Sequence, residues 1–469
     1  MTRPGPARGI AVVGGGVAGL VVALRLAERG VPVTVLEARP RTGGAVTWHD
    51  VAGIRLDAGA DSFATRTTAV ADLATELGLE VVAPSGAGAW LHLPQGTVPL
   101  PRAGMLGVPT DPSAADVRRV VGRAGAFRAG LDRLLPPGFG VPDGPTTLGH
   151  VVRARMGRRV LDRLVGPVAG GVHSADPDAL DLDTVLPGLR AALAAEGSLA
   201  AAVGRLRGTT TAGAAVAGLR GGMHTLPTAL EAAVVEAGGR VLTDARATGL
   251  DHRADGSWSL HLEGGELHAA GVVLAGAPGA LLDASPGLAT LVRSAAPLPQ
   301  EPVVLATIVL RSPLLDSAPR GTGVLVAAST RDVGAKALTH VTAKWPLLSS
   351  ALGEGIHVLR LSYGGAGRPV PADGPALGAV LADASRILGV PIDAGQVLGH
   401  DLVRWTDGLP RSAPGHRDRV AGLRSGLLSV GAAWGVGAWW AGTGLSAVVT
   451  DAETVAGEIV DHLSSRQPS

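Results

Sequence analysis

The beginning of the chain alternates between short apolar runs and one long apolar stretch of helical length. The runs Ile10-Ala-Val-Val13 and Val33-Thr-Val-Leu36 predict two buried strands. Residues 16–29, between them, predict a helix that packs on these strands. A strand, a helix and a second strand in this order form a β-α-β unit with parallel strands. We therefore expect a parallel sheet covered by helices at the start of the chain.

The same periodicities divide the remainder of the chain. Helices are predicted for Thr68–Leu79, Ala114–Leu135, Leu148–Val165, residues 221–237, Val380–Leu388 and Gly444–Leu463. Strands are predicted for the hairpin Trp90–Leu100, for a small sheet of Gly239–Thr243, Trp258–Leu262 and Gly271–Ala275, for a second, antiparallel sheet of Val303–Val326 and His357–Ser362, and for Leu427–Val430. Val168–His173 is predicted to form a tight bend, and residues 191–219 are of low complexity.

Three glycines follow the first strand at the spacing of a dinucleotide-binding turn. Gly14, Gly16 and Gly19 form the pattern G-x-G-x-x-G. In such a turn the first glycine allows the sharp bend, the second lets the backbone approach a pyrophosphate, and the third lets the helix pack on the strand. The helix that follows directs its N–H groups and the positive end of its dipole at the phosphates.

An acidic residue completes this pattern. Glu37 closes the second strand about 20 residues beyond the turn, where a carboxylate accepts hydrogen bonds from both ribose hydroxyls. The same carboxylate would repel a 2′-phosphate, so NADP is not the expected ligand. The ordered strand, turn, helix, strand and acid carry this prediction, because glycines alone are weak evidence in a chain that has 69 of them.

Composition excludes several classes of function. The chain has 469 residues, enough for two or three domains, and no cysteine, so any redox chemistry requires a bound cofactor. A net charge of +1 with one Tyr and three Phe disfavours nucleic-acid binding. The histidines show no metal-ligand spacing, so no metal site is expected.

The chain is expected to be cytoplasmic. Residues 1–8 lead directly into the first strand without a signal-peptide pattern. Residues 425–450 carry no charge and are long enough to cross a bilayer, but six glycines interrupt them. We predict a strand, a turn and a helix start there, and no transmembrane span. Peripheral membrane contact stays open.

Residues beyond the glycine turn make the expected ligand more specific. Glu37-x-x-x-Arg41-x-Gly43-Gly44 resembles the FAD signature of the flavoprotein superfamily that includes amine oxidases and porphyrinogen oxidases. Further segments resemble FAD-dependent coproporphyrinogen III oxidases and protoporphyrinogen oxidases; they are Leu56–Phe63, Arg158–Val172, Leu219–Met223, Lys336–Pro346 and Arg404-Trp405.

The resemblance implies an α/β fold of mixed α+β character, in which a discontinuous, Rossmann-like FAD domain carries an inserted substrate domain with a mixed or antiparallel sheet plus helices. The FAD domain would comprise residues 1–90, 220–290 and 401–469. The insertions would be a hairpin at 91–105, a mainly helical subdomain at 106–219 and a sheet at 291–400. FAD contacts would fall on Gly14, Gly15, Gly16, Val17, Ala18, Gly19, Glu37, Ala38, Arg41, Gly43, Gly44, Ala45, Gly59, Ala60, Asp61, Ser62, Ala247, Trp405, Val436, Gly437 and Ala438.

The implied activity is the six-electron oxidation of coproporphyrinogen III to coproporphyrin III, with O2 as acceptor and H2O2 released. The flavin carries this chemistry, so no catalytic side chain is demanded. The propionates of the substrate do demand cations. Candidate substrate-binding residues are Lys336 and Lys344, the only lysines of the chain, with Arg66, Arg102, His173 and His340. The two histidines could relay protons near neutral pH.

Several residues depart from the family pattern, namely Ala45, Ala60, His173 and Gly437–Ala441. Alternative functions therefore stay open: oxidation of protoporphyrinogen IX, an amine oxidase or desaturase activity, or a catalytically lapsed paralogue that binds flavin or porphyrin. A transient contact with ferrochelatase, which would take the product, also stays open.

Overall fold

The computed structural model describes residues 9–207, 216–279, 281, 285, 288, 291, 302–365, 368–406 and 413–465. Within these ranges, five strands form what we call the parallel sheet, in the order β12 (Arg240–Leu242), β2 (Val33–Leu36), β1 (Ile10–Val13), β16 (Gly271–Ala275) and β22 (Ala433–Val436). Strands from three distant stretches of the chain thus lie side by side, which confirms the predicted α/β fold.

Both faces of the parallel sheet are covered. Successive strand residues point to opposite faces, so Val12 belongs to one core and Ala11 to the other. The first face packs on α1 (Val17–Glu28), α2 (Ala69–Glu76), α10 (Thr225–Glu236) and α16 (Leu445–Ser464). The second face packs on α14 (His416–Val430) and on an antiparallel sheet of β13 (Ala247–His252), β14 (Trp258–Leu262) and β15 (Gly265–Ala269).

A second large sheet, the mixed sheet, stands beside the parallel one. Within the described ranges its order is β21 (Val397–Trp405), β17 (Val303–Arg311), β20 (Ile356–Gly364), β19 (Ala337–His340), β18 (Gly323–Val326), β7 (Ala89–Leu93) and β8 (Gly96–Pro99). Neighbours are antiparallel, except that β18 and β7 are parallel. Leu338 and Leu359 of one face pack with α13 (Leu377–Leu388). The hairpin predicted for Trp90–Leu100 is confirmed by β7 and β8.

Helices and short strands fill the remainder. The helices are α3 (Ala115–Gly130), α4 (Leu148–Met156), α5 (Arg158–Val160), α6 (Gly166–His173), α7 (Leu182–Val185), α8 (Leu189–Glu196), α9 (Leu199–Arg207), α11 (Val341–Lys344), α12 (Pro346–Leu352) and α15 (Ala438–Ala441). The short strands pair as β3 (Trp48–Val51) with β4 (Ile54–Asp57), β9 (Gly104–Met105) with β10 (Val108–Pro109), and β5 (Phe63–Ala64) and β6 (Val81–Val82) with β11 (Val216–Leu219).

The structure differs from the predicted elements in three places. Val168–His173 is not a bend but lies within α6, which ends only at Ser174, where φ is 51°. Leu427–Val430 is the last turn of α14, and the strand follows it as β22. The strands β12 and β16 do not join β14 in a small sheet, because each pairs in parallel with the first β-α-β unit.

Some predictions fall outside the described ranges or across element limits. Residues 1–8, and 208–215 of the low-complexity segment, lie outside the described residues. The strand β21 runs across the expected limit between residues 400 and 401, and the domain limits themselves stay predictions. Among the described residues, no helix has both the length and the apolar character needed to span a bilayer.

A buried ion pair anchors the helical region. Arg155 of α4 is fully buried, and its Nε donates to Asp132 Oδ1 at 2.5 Å. The remaining guanidinium N–H groups donate to the carbonyl groups of Asp132, Pro136, Pro137, Phe139 and Gly197. Asp132 therefore supplies the negative charge that compensates a cation enclosed by carbonyl groups.

Replacing Asp132 by asparagine should destabilise the protein strongly. The variant leaves Arg155 as an uncompensated buried charge, which costs about 3–5 kcal/mol in the free energy of unfolding. Urea denaturation followed by circular dichroism measures the loss. The exposed Asp143→Asn is the matched control, and equal stabilities of the two variants would contradict the prediction.

Candidate functional site

The glycine turn lies at the carboxyl end of the parallel sheet, between β1 and α1. Gly16 is the N-cap of α1, no side chain caps this helix, and its first turn carries no acidic residue. Its first N–H groups are therefore available to an anion. A Cβ atom on Gly19 would lie 2.1 Å from the carbonyl oxygen of Gly14, so only glycine allows this approach of helix and strand.

A second glycine turn lies against the first. The N–H of Gly43 donates to the carbonyl oxygen of Gly15 at 2.8 Å, and a Cβ on Gly44 would lie only 3.3 Å from the Cα of Gly16. Arg41 stacks on Trp48 nearby, with its guanidinium carbon 4.3 Å from the ring centroid. The two turns together line a cradle with backbone atoms.

The carboxylate of Glu37 lies beside this cradle and is buried. Its two oxygens accept from the N–H groups of Gly15 at 2.8 Å and Arg39 at 2.9 Å. Each carboxylate oxygen can accept a further hydrogen bond, so hydroxyl groups of a ligand can still bind. The N–H of Ala245 donates to the Glu37 carbonyl at 2.8 Å, which brings the segment that leads to Ala247 alongside.

The loop 58–62 continues the same surface. The N–H of Ala60 donates to the carbonyl oxygen of Ala45 at 3.0 Å, and a Cβ on Gly59 would lie 2.0 Å from that oxygen. Trp405 donates from Nε1 to the carbonyl of Ala58 at 3.1 Å. The structure thus connects the predicted contact segments 14–19, 41–45, 59–62 and Trp405, although they are far apart in sequence.

Three charged side chains, which we call the charge cluster, hold this loop from behind. Asp61 Oδ2 lies 3.1 Å from Lys344 Nζ and 3.0 Å from Arg360 Nη2. Arg360 Nη1 also donates to the carbonyl oxygen of Gly59 at 3.0 Å. Burial opposes ionisation of Asp61, but the charges of Lys344 and Arg360 outweigh it and hold the pKa of Asp61 well below its usual range.

The C-terminal end of α6 lies near the predicted contact segment 436–438. His173 Nδ1 is 3.3 Å from Thr443 Oγ1, a few residues beyond the predicted contact segment 436–438. Burial, and then the positive charge of Arg66, lower the pKa of His173 to about 4. Arg66 extends to Met105 and forms no ion pair with a carboxylate among the described residues. Val172 is 53% exposed beside this group.

Comparison with known proteins agrees with this geometry. The model of the family "Flavin containing amine oxidoreductase" matches residues 17–460. The chain belongs to this family. It is an FAD-dependent oxidoreductase, and its likeness to curated relatives places it in the coproporphyrinogen III and protoporphyrinogen oxidase group.

Three relatives illustrate the likeness. The coproporphyrinogen III oxidase of Mycobacterium leprae is 30% identical, over 90% of this chain and 91% of its own. A crystal structure from Exiguobacterium, provisionally named a protoporphyrinogen oxidase, has a TM-score of 0.79 at 24% identity and covers 97% of this chain and 99% of its own. Cyclohexylamine oxidase of Brevibacterium oxydans has a TM-score of 0.70 at 18% identity, with 98% of this chain and 100% of its own covered. The two structures show a shared fold.

The donor set of this flavoenzyme fits the FAD that its family binds. An uncapped helix start and a cradle of glycines suit a diphosphate, and the buried Glu37 suits a ribose. Gly437 follows β22 at the next edge of the cradle, with a Cβ position 3.8 Å from the Cβ of Ala18. The individual FAD contacts stay predictions, which these positions support.

The structure separates the predicted substrate-binding residues. Arg66 and His173 lie together, and Met105 beside Arg66 is three residues from the exposed Arg102. Lys344 instead belongs to the charge cluster. Lys336 is buried and donates to Ser174 Oγ at 2.7 Å.

His340 lies on the far face of the mixed sheet. Its cross-strand neighbour on β20 is Leu359, which packs with α13 on the same face of the sheet. The preceding residue, Thr339, points to the opposite face with its own neighbour, Arg360. His340 Nε2 is 3.0 Å from His357 Nδ1, and burial with the charge of His357 lowers the pKa of His340 to about 4. We infer a structural role for this residue.

Arg360 is the residue that the sequence analysis missed. It occupies the centre of a strand whose other residues are mostly apolar or buried. A lone arginine in such a pattern requires a buried partner. This signal could have drawn attention to Arg360, but not to Asp61 as its partner.

Truncating Glu37 should weaken FAD binding. Glu37→Ala removes a charged acceptor worth about 1.5–3 kcal/mol, or roughly a 10- to 100-fold rise in Kd. Fluorescence titration of the apoprotein with FAD measures this change. Glu37→Gln keeps one acceptor oxygen and should lose less, and the exposed Glu236→Ala should lose nothing. Unchanged affinity in Glu37→Ala would contradict the assignment.

The imidazole of His173 should stay neutral down to about pH 4. Because this pKa lies below the unfolded value of about 6.5, only the unfolded chain takes up this proton between these pH values, so stability falls as the pH drops through that window. NMR titration of the ring protons, assigned with His173→Gln, measures the pKa. Arg66→Gln should raise it, though not to the ordinary value, since burial is the larger cause. A titration near 6.5 in the unaltered protein would contradict this prediction.

Proposed function

We propose that this protein oxidises coproporphyrinogen III to coproporphyrin III with FAD as cofactor and O2 as acceptor. The observation that carries the proposal is similarity over nearly the whole chain to relatives named coproporphyrinogen III oxidase. In the balanced reaction the macrocycle loses six electrons and six protons, and three O2 become three H2O2. FAD supplies a two-electron hydride acceptor for each of three successive steps.

The substrate would lie where the cradle meets the end of α6. Val172 presents an exposed apolar side chain there, which suits the face of a macrocycle. Arg66, without a carboxylate partner among the described residues, would pair with a propionate. Burial and the charge of Arg66 lower the pKa of His173, so the ring is uncharged at neutral pH and adds no second cation.

Lys344 and Arg360 contribute by positioning. They bind Asp61 and the carbonyl group of Gly59, so they fix the loop on which the cofactor would rest. Of the candidate cations, Arg66 and Arg102 are exposed, and they would bind propionates. Cytoplasmic location, peripheral membrane contact and transfer of the product to ferrochelatase stay predictions from the sequence.

Anaerobic mixing tests the reaction. Without O2, coproporphyrinogen III should bleach the flavin absorbance, because one FAD accepts two of the six electrons. Air should then restore the flavin, and porphyrin fluorescence should appear with three H2O2 per porphyrin. Protoporphyrinogen IX, with two propionates, and a primary amine serve as comparison substrates. Flavin that stays oxidised with every substrate would indicate a lapsed paralogue, and bleaching by the amine alone would indicate an amine oxidase.

Arg66→Gln should raise KM for coproporphyrinogen III by roughly 10-fold and leave kcat nearly unchanged, because a charge-assisted hydrogen bond to a remote propionate of about 1.5 kcal/mol is lost in ground and transition state alike. Steady-state porphyrin fluorescence measures both constants. Arg133→Gln, at an exposed arginine of the helical region, is the control. An unchanged KM in Arg66→Gln would remove Arg66 from the substrate site.

A further inference from the structure

A cavity lies next to the charge cluster, and Asp61 and Arg360 form part of its lining. Its volume is about 320 Å³, at the lower end of the range of small-molecule sites. Among the predicted FAD contacts, only Asp61 lines it. Its walls are formed by β4, by β11 and the turn after it, by α11 and α12, and by the face of β17 and β20 that carries Thr307 and Arg360.

The walls are mostly apolar. Leu56, Leu219, Val341, Leu348 and Val358 all contribute to them. A Cβ on Gly218 would lie 2.6 Å from the Trp345 ring, so the glycine lets this indole pack against β11. The hydroxyl of Thr307 is buried in the wall and has no partner among the described residues, which a bound molecule or water would supply.

The helix α12, which covers one side of the cavity and which we call its roof, is loosely packed. The helix α12 has the sequence PLLSSAL, yet none of its residues is buried. Leu347 is 43% exposed although it lines the cavity. Leucines at the edge of a cavity gain apolar contacts when a molecule fills it. The roof therefore favours an apolar occupant.

The charged residues that line the cavity indicate the charge of the polar group that a ligand would carry. The carboxylate of Asp57 accepts from the N–H groups of Met223 and His224 and from the His224 ring, and Asp61 is paired within the charge cluster. Neither acid is free to bind a cation. Arg55, at the exposed edge, stacks on Trp48 at 3.9 Å and forms no ion pair with a carboxylate among the described residues.

We propose that this cavity binds an amphipathic carboxylate, with its apolar chain under α12 and its carboxylate at Arg55. A medium-length acyl chain with a terminal carboxylate has this chemistry, and its size suits a cavity of about 320 Å³. The proposal does not depend on which substrate the flavin oxidises, because none of the candidate substrate-binding residues lines the cavity.

Isothermal titration of the FAD-loaded protein with decanoate tests the proposal. Decanoate should bind at least 10-fold more tightly than decanol or decylamine. Arg55→Gln should abolish the preference for decanoate over decanol, and Arg133→Gln should retain it. Because Arg55 is exposed, its replacement preserves folding, which the flavin spectrum verifies. Absence of decanoate binding, or a preference for decanoate over decanol that Arg55→Gln retains, would overturn the proposal.

Two further measurements locate the ligand. Leu348→Trp fills the cavity and should weaken decanoate binding at least 10-fold in protein that retains its flavin. Saturating coproporphyrin III should leave decanoate affinity unchanged. Competition between the two would place decanoate at the substrate site and refute the separate cavity, whatever the outcome of the porphyrinogen assay.

Discussion

The position of the loop 58–62 depends on one largely buried carboxylate, that of Asp61, and on its two cationic partners. Asp61 lies on the loop that follows β4. Lys344 is the last residue of α11, and Arg360 lies in β20 of the mixed sheet. A buried carboxylate is unfavourable without compensation, and loss of one partner of a buried pair costs about 3–5 kcal/mol. The charge cluster thus connects the loop 58–62 to the mixed sheet and α11, and the cradle is complete only when these two parts are correctly positioned relative to each other.

Local patterns were sufficient for the first part of the fold. The strand, turn, helix and strand of residues 10–37 follow from apolar runs, glycine spacing and one terminal acid, and the structure agrees within one or two residues. All these signals lie within a short stretch of chain. The second glycine turn was expected only from the family resemblance, and the contact of Gly43 with Gly15 was not predicted.

Elements whose conformation depends on contacts with distant parts of the chain could not be predicted from local sequence patterns. Gly170 and Gly171 suggested a bend, but a Cβ on Gly171 would lie 2.5 Å from Leu325 Cδ2, so the glycine serves helix packing against β18. Leu427 continues a helical pattern with Leu423, whereas the short, mostly apolar run Leu427–Val430 in isolation suits a strand as well. Lys344 was predicted to bind substrate because lysine is rare in this chain, and rarity could not reveal Asp61 as its partner.

The charges around the end of α6 bear on the class of substrate. The fold alone is shared with cyclohexylamine oxidase, so it does not separate an amine from a porphyrinogen. Arg66 is a cation without a carboxylate partner among the described residues, and its charge adds to burial, the larger cause, in lowering the pKa of His173. An ammonium substrate would be repelled at this position, whereas a propionate would be attracted. Val172, which precedes His173 in α6, is exposed and apolar, and this also favours the proposed porphyrinogen over an amine.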